Sequence, residues 1–176
     1  MIYTGSNQRI PEYHAWTSLC IGMGITTYVE LGCGSSHSQR DVGISVITVD
    51  ILPNGLGGEP AIPHIQGNSH DLETLHQVLT YFNGRPECVF IDADHTYERV
   101  KADFDVWYPA ATRLIGFHDI RMEGVREFWN EISRQYPSVE IVGRDIASAD
   151  KWQHGCQTHT GDVNCGGIGV IFKEIE

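Results

Sequence analysis

The fold is decided by residues 28–50, YVELGCGSSHSQRDVGISVITVD. An apolar run through Leu31 is followed by a turn with glycines at positions 32 and 34, and a second apolar run ends at Asp50. Glycine adopts backbone angles that are closed to other residues, so a ligand can approach the main chain of such a turn. A carboxylate at the end of the second strand can accept hydrogen bonds from a ribose. The stretch therefore predicts one βαβ half-unit and a site for a nucleoside-containing cofactor.

Further strand-like runs alternate with helical patterns along the chain. Short apolar or β-branched runs lie at 27–31, 44–51, 62–66, 87–92, 113–118, 139–142 and 168–172. Apolar residues recur at helical spacing within 72–82, 97–107 and 125–136, and Pro11 is suited to open an N-terminal helix. Strands that alternate with helices favour a parallel sheet covered on both faces. We predict a single domain over 1–176, with a Rossmann-like, doubly wound, seven-stranded and mostly parallel α/β sheet.

Composition and charge narrow the classes of function. The 176 residues carry 12 Lys+Arg against 23 Asp+Glu, a formal net charge of −11. A surface of that sign repels phosphate backbones and anionic lipid, so duplex nucleic acid is not an expected partner. No apolar run approaches the roughly 20 residues that cross a membrane. Five cysteines and an N-terminus without a signal-peptide pattern favour reduced thiols and a cytoplasmic protein, and a homo-oligomer is compatible with the sequence.

Polar side chains follow the end of each of the first five predicted strands. They are residues 30–34, Asp50, residues 67–71, residues 92–95, and His118 with Asp119. The carboxyl ends of parallel strands meet at one edge of a sheet, where ligands bind in open α/β folds. Five strand ends are therefore expected to converge on this edge, which we name the C-terminal edge. Their convergence is the main sequence argument for a functional site.

The glycine turn resembles the E-x-G-x-G motif of class I S-adenosylmethionine (SAM) methyltransferases. Glu30 lies two residues before the first glycine in VELGCGSSHS, and Ser36 takes the place of a third glycine. Asp50 matches the acid that holds the cofactor ribose, and IQGNSHD (65–71) resembles the third cofactor motif. A nicotinamide-dependent enzyme is the weaker interpretation, because position 37 is His where G-x-G-x-x-G needs glycine. The resemblance implies cofactor contacts from Glu30, Gly32, Cys33, Gly34, Asp50, Ile51, Asn68, Ser69, Asp71 and Asp92.

Later motifs extend the resemblance over most of the chain. They are FIDADHTYERVKADFDVWYPA (90–110), LIGFHDI (114–120), EGVREFWNEI (123–132) and GIGVIFK (167–173). Together they resemble the metal-assisted small-molecule O-methyltransferases of the cephalosporin hydroxylase-like and macrolide-sugar methyltransferase group. In that group a divalent metal lies between the ends of the fourth and fifth strands. The resemblance implies a metal, expected to be Mg²⁺, held by Asp92, Asp119 and His118.

Positions 118 and 95 differ in how closely they match the group. The group usually has an acidic residue where His118 stands. Side chains 118 and 119 point to opposite faces if the strand persists, so that only one faces the site unless the backbone turns, and Asp119 is then preferred. His95 matches the general base of the sugar-methylating relatives, a role that suits a histidine titrating near neutral pH.

The resemblance implies methyl transfer from SAM to a hydroxyl of a small molecule such as a sugar or polyketide. Methyl transfer from a sulfonium is an in-line displacement that needs a positioned, partly deprotonated hydroxyl, which a bound metal helps to supply. The alternative is a SAM- or nucleoside-binding module without activity. The short segment 35–43, with little room for a first helix, favours this alternative. The constellation of Asp92, His95 and Asp119 counts against it, because a binding module needs neither a base nor a metal.

Other residues carry structural expectations. Ser69 is a candidate N-cap for a helix over 70–83, and Asp94 or Thr96 for one over 97–108. Helical stripes predict four core aromatics: Phe104, Trp107, Phe128 and Trp129. Candidates for the substrate pocket are Trp16 and Trp152. Expected on solvated helix faces are the pairs Asp103/Asp105 and Glu123/Glu127.

The regions that set specificity are expected at the margins of the sheet, since no separate substrate domain is visible. We predict an N-terminal helical cap over 1–26 and a substrate-side loop over 144–167. This loop contains His154, Cys156, His159 and Cys165. Their spacing does not match the usual zinc-binding pairs, so a polar loop is expected, with a zinc site or a disulfide as the alternatives.

Overall fold

The computed structural model describes residues 10–33, 45–53, 63–142 and 166–174, which form four helices and seven strands. The helices are α1 (Ile10–Gly22), α2 (Leu72–Phe82), α3 (Tyr97–Ala110) and α4 (Glu123–Ile132). The strands are β1 (Thr27–Leu31), β2 (Ser45–Asp50), β3 (His64–Gln66), β4 (Cys88–Ile91), β5 (Leu114–Phe117), β6 (Ser138–Ile141) and β7 (Ile168–Phe172). Within these ranges, no helix combines the length and the apolar character needed to span a membrane.

The strands form one sheet in the order β3-β2-β1-β4-β5-β7-β6. All pairs from β3 to β5 are parallel, whereas β7 is antiparallel to both β5 and β6. The chain moves outward from β1 to β3 in one direction and from β4 to β5 in the other. The switch point between β1 and β4 is where ligands bind in such sheets. The predicted Rossmann-like, seven-stranded, mostly parallel sheet is confirmed.

Each face of the sheet buries its own apolar cluster, because neighbouring side chains of a buried strand point in opposite directions. In β4, Val89 and Ile91 belong to the cluster under α3 and α4, and Cys88 and Phe90 belong to the one under α1. The four aromatics predicted for the core, in α3 and α4, are all buried. The described cysteines Cys20, Cys33 and Cys88 are buried and form no disulfide with one another.

Trp16 belongs to the second cluster, and its predicted place in a substrate pocket is wrong. The side chain is fully buried, with its ring centroid 5.2 Å from that of Phe90. Its indole N–H donates a hydrogen bond to the hydroxyl of Tyr28 at 3.0 Å. Helix α1 covers the face of the sheet opposite to α3 and α4, and Trp16 packs in the apolar cluster on that face. Trp152 lies outside the described residues.

The predicted N-cap is wrong for α2 and confirmed for α3. The N-cap of α2 is Asp71, not Ser69, and its side chain makes no capping hydrogen bond. Ser69 instead presents its carbonyl oxygen to the indole N–H of Trp107, at 2.6 Å. Thr96, one of the two predicted candidates, is the N-cap of α3; its side chain makes no capping hydrogen bond, and the carboxylate of Asp94 accepts the amide of Thr96 at 2.8 Å. A tertiary contact therefore replaces the predicted cap at α2 alone.

Asp103 is buried, so its predicted place on a solvated face is wrong. Only 1% of it is exposed, whereas Asp105, Glu123 and Glu127 are exposed as expected. Positions 103 and 107 lie on one face of α3, and that face packs against the segment that precedes α2. Burial raises the pKa of Asp103, and His70 lies 3.7 Å from its carboxylate.

Candidate active site

The turn after β1 carries the first group of predicted cofactor residues. Glu30 is fully buried in β1, and Gly32 leaves the strand with a φ of 80°, a value that favours glycine. A Cβ at position 32 would lie 2.7 Å from the amide nitrogen of Ala93, and closer still to the carbonyl oxygen of Asp92. Glycine is therefore required here both by its own conformation and by the backbone that follows β4. The turn after β1 and the loop after β4 are in direct contact.

Asp50 lies at the end of β2, beside that turn. One carboxylate oxygen accepts the amide of Leu52 at 2.9 Å, and the other lies 4.0 Å from the sulfur of Cys33. Burial raises the pKa of the Cys33 thiol to about 11, so the sulfur stays protonated beside the carboxylate. Ile51 is 68% exposed. A carboxylate next to an exposed aliphatic side chain fits a nucleoside, which presents ribose hydroxyls and a flat apolar base.

The segment between β3 and α2 runs beside Asp50, because the amide of Gly67 donates to the Asp50 carbonyl at 2.9 Å. Within it, Asn68 is half-buried, Ser69 is buried and Asp71 is exposed. The bond from Trp107 to the Ser69 carbonyl fixes this segment to α3. The structure thus brings together the predicted cofactor residues that follow β1, β2 and β3. Gly34 lies outside the described residues.

A cluster of two aspartates and two histidines follows β4 and β5. These strands end side by side, with Ile91 opposite Phe117, so the residues after them meet. Three atoms able to bind a metal, one each from Asp92, His118 and Asp119, lie within 4.8 Å of one another. We name these three residues, with His95, the Asp/His cluster.

The backbone turn at Asp119 brings both residues after β5 into the Asp/His cluster. β5 ends at Phe117, and Asp119 has a φ of 53°. The alternation expected for a continuing strand therefore does not apply, and His118 faces the site together with Asp119. His118 Nδ1 lies 3.0 Å from Asp92 Oδ1 and 3.5 Å from Asp119 Oδ2. His95 Nε2 lies 3.1 Å from Asp119 Oδ2.

Charge governs the protonation of the Asp/His cluster. Burial lowers the pKa of His118, but the carboxylates of Asp92, Asp119 and Glu12 outweigh burial and raise it to about 9. The hydrogen bond to Asp119 raises the pKa of His95 against the effect of burial. The pKa of Asp119 is lowered although burial raises it, because His95, His118 and the amide of Gly166 stabilise the carboxylate. The cluster therefore concentrates buried negative charge around cationic partners.

Glu12 is a site residue that the sequence did not indicate. It lies in α1, is fully buried, and accepts the amide of Gly167 at 3.0 Å. Its charge acts on His118 across the sheet edge. An acid in the first turn of a helix ordinarily interacts with the helix dipole, so no sequence signal distinguished Glu12.

Comparison with known proteins gives a fold and no sequence family. No family model matches the chain, and no curated protein matches it in sequence. The methyltransferase domain of bacterial CtHen1 superposes with a TM-score of 0.59 at 10% identity, over 93% of this chain and 98% of that one. An O-methyltransferase from Bacillus cereus in complex with SAH gives 0.55 at 14% identity, over 97% and 84%. This chain has the methyltransferase fold.

A third methyltransferase structure is similar over a smaller part of its length. MycE, from the mycinamycin biosynthetic pathway and in complex with Mg and SAH, gives a TM-score of 0.53 at 17% identity, over 71% of this chain. The chain spans 31% to 41% of the MycE chains that it matches. In this methyltransferase fold the site residues form two adjacent groups, one after β1 to β3 and one after β4 and β5. Outside the described residues lie segment 35–43 and His154, Cys156, His159 and Cys165.

Proposed function

We propose that the chain transfers a methyl group from SAM to a hydroxyl of a small molecule, with a divalent cation at the Asp/His cluster. The observation that carries this proposal is the contact between Gly32 and the backbone of Asp92 and Ala93. It sets a nucleoside-type site and a cluster of acids and histidines side by side on the C-terminal edge. A transferase needs this adjacency, because donor and acceptor must meet in line.

The first group of residues fits SAM. Asp50 would accept hydrogen bonds from the ribose hydroxyls, Ile51 would offer an apolar side chain to the base, and Glu30, Gly32 and the turn behind them would hold the amino-acid end. The remaining contacts come from Cys33, Gly34, Asn68, Ser69, Asp71 and the backbone at Asp92. When bound, SAM supplies a methyl group on a sulfonium that is ready for displacement.

The second group would bind and activate the acceptor. Asp92, His118 and Asp119 would hold the cation, and His95 would accept the hydroxyl proton. When bound, a divalent cation lowers the pKa of a hydroxyl that it contacts. MycE was crystallised with Mg, so Mg²⁺ is the first ion to test. His95 is assigned as the base because it is the most exposed member of the cluster, with 37% of its side chain exposed.

The margins of the sheet complete the proposal. Residues 1–176 act as one domain, with a helical cap over 1–26 and a substrate-side loop over 144–167. The Glu12 contact with Gly167 supports this arrangement, since it joins α1 to the chain that enters β7. A small hydroxylated molecule is the acceptor, and a homo-oligomer remains a prediction.

Calorimetry with SAM tests the cofactor assignment. Asp50→Asn is expected to weaken SAM binding about 10- to 100-fold, because a hydrogen bond to a charged group is worth about 1.5–3 kcal/mol. Asp105→Asn is the matched control, since it removes an exposed acid of α3 that pairs with Lys101 and is not among the predicted cofactor residues. An absence of SAM binding to the wild type, or equal affinity in Asp50→Asn, would refute the proposal. Binding of NAD in place of SAM would favour the nicotinamide alternative.

A further inference from the structure

We infer that the Asp/His cluster selects a divalent transition ion, such as Co²⁺, Ni²⁺ or Zn²⁺, over Mg²⁺, and that His118 sets this preference. The inference deepens the proposed function and rests on it only for the ion's role in methyl transfer. Ion binding itself requires only the side chains of the Asp/His cluster and does not depend on SAM.

The distances within the cluster suit a single ion. Two donors at about 2.1 Å from one ion lie about 3.0 Å apart at a right angle and about 3.4 Å apart at the tetrahedral angle. The observed distances from His118 Nδ1 are 3.0 Å to Asp92 Oδ1 and 3.5 Å to Asp119 Oδ2. An ion can therefore take the place of the Nδ1 proton, which leaves to solvent, with little movement of the three side chains.

The chemistry of the donors distinguishes between ions. Mg²⁺ prefers oxygen ligands in a near-ideal octahedron, whereas imidazole nitrogen suits Zn²⁺, Co²⁺ and Ni²⁺. One of the three donors is the nitrogen of His118. The nitrogen therefore shifts the preference of this cluster towards transition ions.

Burial and ring packing hold His118 in the cluster. Its side chain is 5% exposed, and its ring centroid lies 6.2 Å from that of Phe90. Among the described residues, its buried Nε2 atom has no hydrogen-bond partner. The polar contacts of the ring are thus directed through Nδ1 at the two aspartates. A buried nitrogen that points at two carboxylates is a ligand that water cannot replace.

His95 is the most exposed member of the Asp/His cluster. Its side chain is 37% exposed, compared with 15% for Asp92, 12% for Asp119 and 5% for His118. Its Nε2 atom lies 3.1 Å from Asp119 and 3.9 Å from Asp92. A catalytic metal keeps a coordination position open for water or substrate, and His95 is the neighbour that such a ligand would meet.

The test is a comparison of metal affinities in the chelator-treated protein without SAM. Co²⁺ and Mg²⁺ are titrated by calorimetry, and the visible absorption of Co²⁺ reports nitrogen ligation independently of activity. The wild type is expected to bind Co²⁺ more tightly than Mg²⁺. In His118→Asp, which creates an all-carboxylate set, the ratio of the two affinities is expected to fall at least about tenfold.

Matched variants separate this site from others. His76→Gln removes an exposed histidine of α2 and should keep the wild-type ratio. Asp92→Asn should weaken both ions, and His118→Gln serves as the second variant if His118→Asp fails to fold by circular dichroism. A wild type that prefers Mg²⁺, or a ratio unchanged in His118→Asp and His118→Gln, overturns the inference. Loss of SAM binding with the metal preference intact would overturn the proposed function alone.

Discussion

Replacing Gly32 by alanine tests the contact that joins the two halves of the site. The added Cβ would lie 2.7 Å from the amide nitrogen of Ala93 and closer to two further backbone atoms of the loop after β4. This falls about 1 Å short of an ordinary van der Waals contact. On its other side, the same loop lies close to Gly124 of α4. A Cβ added at Gly124 would lie 2.7 Å from the amide nitrogen of Tyr97. The backbone between the two glycines therefore has little room to move.

The expected cost has two parts. The positive φ of Gly32 disfavours alanine by about 1–2 kcal/mol. Overpacking adds about 1–3 kcal/mol, so the free energy of unfolding should fall by about 2–5 kcal/mol. Gly24→Ala is the matched control, because Gly24 has a φ of 64° and no atom within 4 Å of its Cβ position. The difference between the two variants isolates the contact with the loop.

Urea unfolding measures the stabilities, and Co²⁺ titration measures the consequence for the site. Because the displaced loop carries Asp92 and His95, Gly32→Ala should also weaken ion binding, whereas Gly24→Ala should not. Equal losses of stability in the two variants, with ion binding intact in both, would refute the argument that the two halves touch at Gly32.

Three further predictions concern single side chains. Trp107→Phe removes the donor to Ser69 and should lower stability by about 1–2 kcal/mol and weaken SAM binding, whereas Trp129→Phe, whose indole donates to β6, should leave SAM binding unchanged in calorimetry. Hydrogen bonds from the start of β1 hold the pKa of Glu87 below its ordinary value, although burial raises it. Because the pKa of Glu87 is lower in the folded state than in the unfolded state, where it is near 4.5, the charged carboxylate stabilises the fold at pH values above 4.5. This stabilisation is lost as the pH falls through the folded-state pKa. Glu87→Gln should therefore be less stable than the wild type at neutral pH, by up to about 1 kcal/mol because solvent screens the side chain, and denaturant unfolding should show this difference shrinking as the pH falls through the folded-state pKa. His95→Gln should keep SAM affinity but slow methyl transfer from labelled SAM by about 10²- to 10⁴-fold, and an unchanged rate would remove His95 as the base.

Most of the sheet could be predicted from the sequence because its inner strands are buried on both faces, unlike β3 and β6. Such strands appear as continuous apolar runs, and the runs at 27–31 and 168–172 coincide with β1 and β7. The convergence of polar residues on one edge follows from parallel strand direction alone. It correctly placed Asp92, His95 and Asp119 in one cluster.

The parts that could not be predicted depend on contacts distant in sequence. Glu12 meets Gly167 across 155 positions, a contact that exists only once α1 has packed on the sheet. Asp103 lies on the same face of α3 as Val100 and Trp107, but a carboxylate is ordinarily solvated, and it is buried here because the segment before α2 covers that face. His118 joins the site because the chain turns at Asp119, and no glycine marks that turn. Each case is a tertiary effect that overrides a local rule.

The antiparallel strand β7 has a consequence for how this protein could diversify. Ile141 at the end of β6 lies opposite Ile168 at the start of β7, and Gly166 is bonded to Asp119. Both attachment points of residues 143–165 are therefore fixed at the C-terminal edge by the sheet itself. Insertions and deletions between such anchors leave strand register unchanged, since closing a longer loop costs little additional entropy. Under the proposed function, a library of variants confined to this segment would change the choice of acceptor and leave the Asp/His cluster in place.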